Sequence, residues 1–387
     1  MVRKLISIAI VIFSSLSIVG QDDESFQDEI FWEIRNENAV VWNLTNELRL
    51  PHEDNIEMSG QKVSAIIHYE IDKDKKLKIN RDIIFPQLRV FIDSDASKWR
   101  KYRAYLRGEY DDQFVPVITY NDLTFSPGSV DSIRIDGMLH IYHAPSKGLK
   151  LTRTLLPSMK ERMFIEIWNL QNVTDSGMIV EMGHVDFVEI QQGQLGTYTR
   201  ITSCETESKV ELEAGEMYEF SISFKAFLNN ELDIQSDYQS VLQDRIDFLN
   251  SMNDKLILET PDPVLNTLFY FSKIRASESI FDTEMGLVHS PGGGRYYTGV
   301  WANDQAEYSG PFFPYLGYET GNIAALNAYL QFKNNIPEGD GNFWSSFEMG
   351  GTLTCCGGDR GDAAMIAYGA SQFVLALGDK EVAEELW

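Results

Sequence analysis

The chain has few cysteines: Cys204, Cys355 and Cys356 among 387 residues. Adjacent cysteines bond to each other only under strain, and three cannot all pair within one chain. A disulfide framework is therefore excluded as the source of stability, although a bridge from Cys204 to either Cys355 or Cys356 stays open. The cysteine spacing fits no structural zinc site. Histidines are also few, six in all. His140 and His143 lie three apart on a predicted strand, face opposite ways and so cannot share a metal, and His289 stands alone in a glycine-rich stretch. No Ser-His-Asp or Cys-His arrangement stands out. Asp111 and Asp112 form an acidic pair able to hold calcium, but without an EF-hand context. Gly292–Gly294 lacks the following Lys-Ser/Thr and the preceding strand of a phosphate cradle. Neither a metal nor a cofactor is expected.

Positive charge is short as well. Lys plus Arg is 33 against 58 Asp plus Glu, a net charge of −25. Such a surface repels nucleic acid and anionic membranes and disfavours polyanionic polysaccharides. One basic patch, Lys98–Arg107, runs against this trend and reads as a solvated sheet edge. Long apolar runs are missing too. The best, Leu5–Phe13, is well below the ~20 residues of a membrane span. It follows Arg3 and Lys4 and precedes Gly20, a plausible cleavage point, which is the layout of a secretory signal peptide over residues 1–20. The mature protein is then expected to be exported, periplasmic or extracellular, without membrane insertion. No low-complexity tract is present. Hydrophobic residues make up 43% of the chain, enough to bury a large core.

The texture changes near Asn230. Before it lie short alternating segments: 64–71 and 76–84 flanking a polar turn, then 132–141, 149–155, 163–168, 209–212 and 218–227. Turn residues such as Asp175-Ser-Gly177 punctuate them. This pattern predicts an antiparallel β-sandwich over 25–232. After it the period becomes helical. Ser236 is placed to cap a helix carrying Tyr238, Val241, Leu242, Ile246 and Leu249 on one face, giving a linker helix within 233–258. Pro263 suits the first turn of a second helix bearing Val264, Leu265, Leu268, Phe269 and Phe271. Residues 281–301 read as a glycine-rich loop. Thr320 or Asn322 opens a third helix with Ile323, Leu326 and Leu330 aligned. Asp362 caps a fourth carrying Ile366, Ala370, Phe373, Val374 and Leu377, ended by Gly378. A fifth starts at Lys380. Long loops between helices carry function or are disordered, and these hold too many aromatics for disorder.

The stretch Arg295–Glu307 sets Asp304 and Glu307 three residues apart among Tyr296, Tyr297, Trp301 and Tyr308. Aromatic faces stack on the apolar faces of sugar rings, and a carboxylic acid can protonate a glycosidic oxygen. Residues three apart on a helical turn are neighbours, nearer than the ~6.5–9.5 Å that inverting hydrolysis leaves between its two carboxyls. One is then an acid and the other a sugar-hydroxyl ligand. Asp304 is read as the acid, its pKa raised by Trp301, Tyr308 and Phe312, and Glu307 as the binder. Glu348, in the aromatic segment 342–349, is the best candidate base. Asp359 and Arg360 form a pair able to grip adjacent hydroxyls, and Trp301, Tyr297 and Arg295 complete the substrate contacts. The plain alternative is a helix-capping Asp304, a solvated Glu307 and Glu348, and a loop salt bridge at Asp359 and Arg360.

Three features together resemble the six-hairpin glycosidase superfamily. They are the order of sandwich, linker helix and helical hairpins; the segment Phe164–Asp175; and the pair Gly299–Tyr308 and Cys356–Met365, which is similar to loops of rhamnosidase-like or debranching-enzyme-like bacterial enzymes. The resemblance implies a mixed fold, a β-sandwich followed by an (α/α)6 toroid over 259–387, with its cleft lined by inter-helix loops. It implies inverting hydrolysis of a glycosidic bond by a general acid and base, with Asp304 and Glu307 near the place of the family's acidic pair. A full toroid needs twelve helices, so the chain reads as a C-terminally truncated member with a partial toroid. The alternatives are a carbohydrate-binding protein without catalysis and, with charge and domain order against it, a polysaccharide lyase.

Overall fold

The computed structural model describes residues 32–36, 38–44, 50–90, 105–121, 123–229, 231, 237–290, 299–335, 344–348, 353–355 and 360–387, apart from the side chains at 348, 353–355, 360, 362 and 363. The signal-peptide reading lies outside these residues. The strands expected at 64–71 and 76–84 form as Ser64–Ile71 and Leu77–Arg89, antiparallel, with Ser64 opposite Ile84. They belong to a four-stranded sheet with His52–Ser59 and Tyr105–Tyr110 at its edges. A nine-stranded sheet runs in the order Trp32–Arg35, Ala39–Asn43, Val130–Ile135, Leu139–His143, Leu149–Pro157, Met163–Asn172, Met217–Leu228, Gly196–Glu205 and Asp186–Gly193. Its interior strand Met163–Asn172 is buried on both faces, whereas Leu149–Pro157 alternates for most of its length, the period expected of a pleated strand. The single strand expected at 132–141 is instead a hairpin. Gly137, at φ +96°, turns the chain between Ile135 and Leu139, and only glycine takes that conformation without strain.

The sheets meet around a buried ion network. Arg81 on the four-stranded sheet donates from Nε to Glu166 Oε2 on the nine-stranded sheet at 2.8 Å. Arg153 Nε also donates to Glu166, as does Trp168 Nε1 at 2.8 Å. Asp112 Oδ1 then accepts from Arg81 Nη2 at 2.9 Å and from Arg153 Nη2 at 3.2 Å. This replaces the calcium reading of Asp111 and Asp112, because Asp111 caps a short turn by accepting from the Gln113 amide. Each charge is matched, which is the condition for tolerating it in a dry interior. Within Phe164–Asp175, Asn172 is fully buried. Its amide donates to the Ser176, Leu212 and Glu213 carbonyls, and its Oδ1 accepts from Thr174, so it organises the turn after the strand. His140 and His143 have separate partners, Asp136 and Thr154 for one and the Gly128 carbonyl for the other. Cys204 is a free thiol, pushed up to about 12 by burial and the nearby Glu205, and so unreactive.

Helix α1 (Tyr238–Asn253) is capped by Asp237, whose carboxylate accepts from the Gln239 amide, one residue on from the expected Ser236. Its buried face carries Val241, Phe248, Leu249 and, between them, Arg245. Arg245 donates to the Gly137 and Ser59 carbonyls of the β-rich part and, at 2.6 Å, to Glu278 of helix α2 (Pro263–Glu278). Helix α2 begins at Pro263, as expected, but its face is reversed. Val264, Leu265 and Leu268 are exposed, and the buried face holds Asn266, Thr267, Tyr270, Lys273, Ile274, Ser277 and Glu278. Asn266, Lys273 and Glu278 are drawn inward by partners there, whereas the Thr267 and Ser277 hydroxyls have none among the described residues. Lys273 Nζ closes the end of α1 by donating to the Met252 carbonyl at 2.7 Å, and Glu278 binds Arg245. Hydrogen bonding to the orphan carbonyls of a helix end outweighs the apolar stripe.

Acid is expected to loosen this fold in two windows. Burial holds His143 at about 4, with the Arg153 charge adding to it, and burial alone holds His289 at about 4, against the ordinary 6.5. The unfolded chain takes up protons at both imidazoles as pH falls from about 6.5, and the folded chain does not until about 4, so stability falls across that interval. Burial alone would raise Asp112 and Glu166, but Arg153 and Arg81 outweigh it; Asp112 lies at about 2 and Glu166 below its usual value. Their contribution is complete above the ordinary carboxylate range and is lost as pH falls through the folded values. Melting temperature measured against pH should therefore drop in two steps, and His143→Gln should flatten the upper one. A flat profile between about pH 6.5 and 4 contradicts the assignment.

Candidate active site

The glycine-rich stretch expected to be a loop contains two ordered pieces. Ile280–Thr283 and Gly286–His289 form a hairpin. Gly299–Trp301 pairs antiparallel with Ser346–Glu348, which pairs in turn with Leu353–Cys355. The middle pair, Val300 and Phe347, is buried, and the Phe347 ring meets Phe332 edge-on at 4.8 Å between centroids. The register sets the Trp301 backbone opposite Ser346 and the Gly299 backbone opposite Glu348. Burial of the Val300 and Phe347 pair thus anchors two separate segments at one place.

Asp304 and Glu307 are not on a loop. Trp301 leads into a single turn of helix, α3 (Ala302–Asp304), tied down by the Ala302 amide donating to the Ser345 carbonyl at 2.9 Å. A π-turn follows over Gln305–Ser309, in which the Gly310 amide donates to the Gln305 carbonyl. Helix α4 (Gly310–Leu316) continues from it. Pro311 and Pro314 carry no amide donor, so an unbroken α-helical ladder cannot run through this stretch, and the π-turn sits at the break. Behind the turn pack helix α5 (Glu319–Asn334) and helix α6 (Arg360–Leu377). A Cβ on Gly369 would lie 2.6 Å from both Ala306 Cβ and Tyr329 Oη, so only glycine lets α6 cross here. Helix α5 buries Ala324, Ala325, Ala328, Tyr329 and Phe332, not the expected line through Ile323, which is exposed. Small residues allow this close approach. Helix α6 buries Phe373 at the centre of its expected stripe, but it begins at Arg360, so Asp362 lies inside the first turn and is not its cap.

Asp304 is half-buried and Glu307 exposed. The Tyr308 hydroxyl donates to Asp304 Oδ1. Of the three aromatics expected to surround the acid, Tyr308 thus acts through its hydroxyl, Phe312 packs into the main helical core, and Trp301 stands half-buried with its indole N–H without a partner among the described residues. Beneath them lies a buried polar layer of Ser290, Gln305, Ser309, Ser345 and Ser346. His289 is beside it, neutral by burial, with its carbonyl accepting from Gln305 Nε2 at 3.2 Å. Sequence reasoning missed Gln305, which stands in a mostly polar run, Asn303 to Ser309, that does not single it out. Arg295, Tyr297 and Asp359 lie outside the described residues, as does Gly292–Gly294. Glu348 and Arg360 are placed by backbone alone, Glu348 in the strand beside Gly299 and Arg360 at the start of α6. Among the described residues, no group of three or more His, Cys, Asp or Glu side chains is placed to hold a metal. No described helix is long and apolar enough to cross a membrane.

No protein-family profile matches the chain, and no curated protein does. Solved structures do. A putative kojibiose phosphorylase from the human microbiome superposes on 89% of this chain and 56% of its own length, with a TM-score of 0.56 at 9% identity. Over the superposed residues this chain shares the fold of that structure. A looser likeness, with a TM-score of 0.38 at 11% identity, covers 86% of this chain and 59% of a bacterial glucoamylase complexed with acarbose. The chain therefore spans little more than half the length of either structure. Among the described residues a β-rich part is followed by a helical part, helices α1 to α6 with α7 (Lys380–Leu386). The β-rich part and the helices belong to one compact unit from Trp32 to Trp387.

Proposed function

We propose that this protein is an exported, carbohydrate-active enzyme that cleaves a glycosidic bond by general acid/base chemistry with inversion. Its working parts are a supporting sandwich over 25–232, a linker helix within 233–258 and a site-bearing helical part over 259–387. The observation that carries this reading is the convergence of Trp301, Asp304 and Glu307 on one short turn beside the Glu348 backbone, in a chain that shares the fold of the putative kojibiose phosphorylase. Trp301 is half-buried and supplies the aromatic ring proposed to stack on a sugar. Asp304 and Glu307 are too close in sequence to flank a water between them, so the partner carboxyl for one of them is Glu348.

The Tyr308 bond bears on the division of roles. The hydroxyl engages one carboxylate oxygen of Asp304. We assign Asp304 the part of a carboxylate, accepting from a sugar hydroxyl or activating the attacking molecule, and leave the proton donor to Glu307 or Glu348. The attacking molecule is water in hydrolysis. Inorganic phosphate is a second reading, favoured by the likeness to a phosphorylase.

The test is an assay of the purified protein against aryl α-glycosides and disaccharides, kojibiose included, with and without phosphate. Sugar release independent of phosphate supports hydrolysis, and a phosphate-dependent sugar phosphate supports phosphorolysis. Saccharide binding without turnover moves the protein to a binding role. Unsaturated products absorbing in the ultraviolet indicate a lyase.

A further inference from the structure

We infer that Gln305 and Tyr308 are positioning residues for Asp304, Gln305 through the backbone of the π-turn and Tyr308 through its hydroxyl. The inference rests on the reading of Asp304 as part of the sugar site. Gln305 is fully buried, and its side-chain amide is used at both ends. Its Nε2 donates to the His289 carbonyl at 3.2 Å, and its Oε1 accepts from Ser309 Oγ at 3.1 Å. Its backbone carbonyl accepts twice, from the Gly310 amide and from Tyr329 Oη at 2.9 Å. Ser309 Oγ also lies 3.0 Å from the Asp304 carbonyl, so its single proton is shared between that carbonyl and Gln305 Oε1. The hairpin strand ending at His289 and the core tyrosine of α5 are thereby joined through one residue, with the residue before the turn reached through Ser309.

A buried amide costs stability unless both its donor and its acceptor are matched, so this glutamine is tolerated only in this turn geometry. The same geometry decides where Asp304 points. The turn carries Tyr308 back over Asp304, where the hydroxyl donates to one carboxylate oxygen and leaves the other for a ligand. Phenylalanine keeps the ring and loses the donor. Leucine at 305 keeps the volume and loses both ends of the clamp. Glutamate at 305 keeps an acceptor for Ser309 but cannot donate to the His289 carbonyl when ionised.

The variants Tyr308→Phe and Gln305→Leu, each alone and with Asp304→Asn, test this on the sugar that the wild-type protein turns over. Tyr308→Phe should lower kcat roughly three- to tenfold with little change in KM or Tm, a loss in the range of one charge-assisted hydrogen bond at a partly exposed site. In the Asp304→Asn background it should do nothing further, because a residue that acts through another is silent once that other is gone. Gln305→Leu should speed hydrogen exchange of the Gly310 amide by about tenfold or more and lower kcat more than it raises KM. Wild-type kcat in both single variants, or an equal Tyr308→Phe effect in both backgrounds, overturns the positioning role while Asp304→Asn still impairs the protein. An unimpaired Asp304→Asn variant, or no sugar turned over or bound by the wild type, overturns the site reading and the inference with it.

Discussion

Asp304→Asn is expected to lower kcat/KM by about two to four orders of magnitude, the range for losing a group that handles a proton in the transition state. Asparagine has the same shape and still accepts from Tyr308, so the turn should keep its form and the melting temperature should hardly move. What disappears is the charge. The residue is half-buried and held by Tyr308. Glu307, exposed on the same turn, should show a smaller loss when changed to glutamine if it only contacts a hydroxyl, and a comparable one if it is the acid. Steady-state kinetics alongside thermal melts separate the cases. Normal turnover by Asp304→Asn would remove this residue, and the role built around it, from the site.

The second large effect is expected far from the chemistry. Glu166→Gln should destabilise the protein by about 3–5 kcal/mol, the usual result of removing one partner from a buried ion network. Glu166 and Arg81 have fully buried side chains, and that of Arg153 is 2% exposed. Without the Glu166 charge, both guanidiniums depend on Asp112 alone, and Asp112 is 45% exposed to solvent that weakens its pull. The surface pair Lys78 and Glu70, at 3.5 Å with Lys78 83% exposed, is the contrasting case. Lys78→Ala should change stability by no more than about 0.5 kcal/mol. Chemical denaturation of both variants gives the comparison, and equal small losses would mean that the buried network is hydrated or dispensable.

Much of the architecture was legible before any coordinates. Alternation over 64–71 and 76–84 marked a hairpin because a strand packed on one face must repeat every second residue. Pro263 marked the start of α2 because a first-turn residue has no intrahelical amide bond to lose. Tyr238, Val241, Leu249 and Phe373 fell on the helix faces assigned to them. What failed was face assignment wherever a polar residue had a distant partner. Helix α2 turned its leucines outward because Lys273 and Glu278 had carbonyls and a guanidinium to meet inside, and those partners lie in α1 or just after it, 18 or more residues away. The single strand read over 132–141 broke at Gly137 because a local Asp-Gly turn outweighed the run of apolar residues around it.

The candidate site divides the same way. That Trp301, Asp304 and Glu307 lie on one short turn is a property of seven consecutive residues, read from their spacing. The sequence also determined the acidic surface, the order of a strand-rich half before a helical half, and the absence of any cysteine framework, since these depend on composition and local period. Only the tertiary structure placed the Glu348 backbone next to Gly299, made Gln305 the clamp of a π-turn, gave Asp304 a tyrosine donor and matched Glu166 to two arginines. The reason is physical. Local pattern reports which face a residue prefers, whereas the partner of a buried polar group is chosen by whatever the folded chain brings within hydrogen-bond reach, and an unmatched group there costs more than local preference can repay.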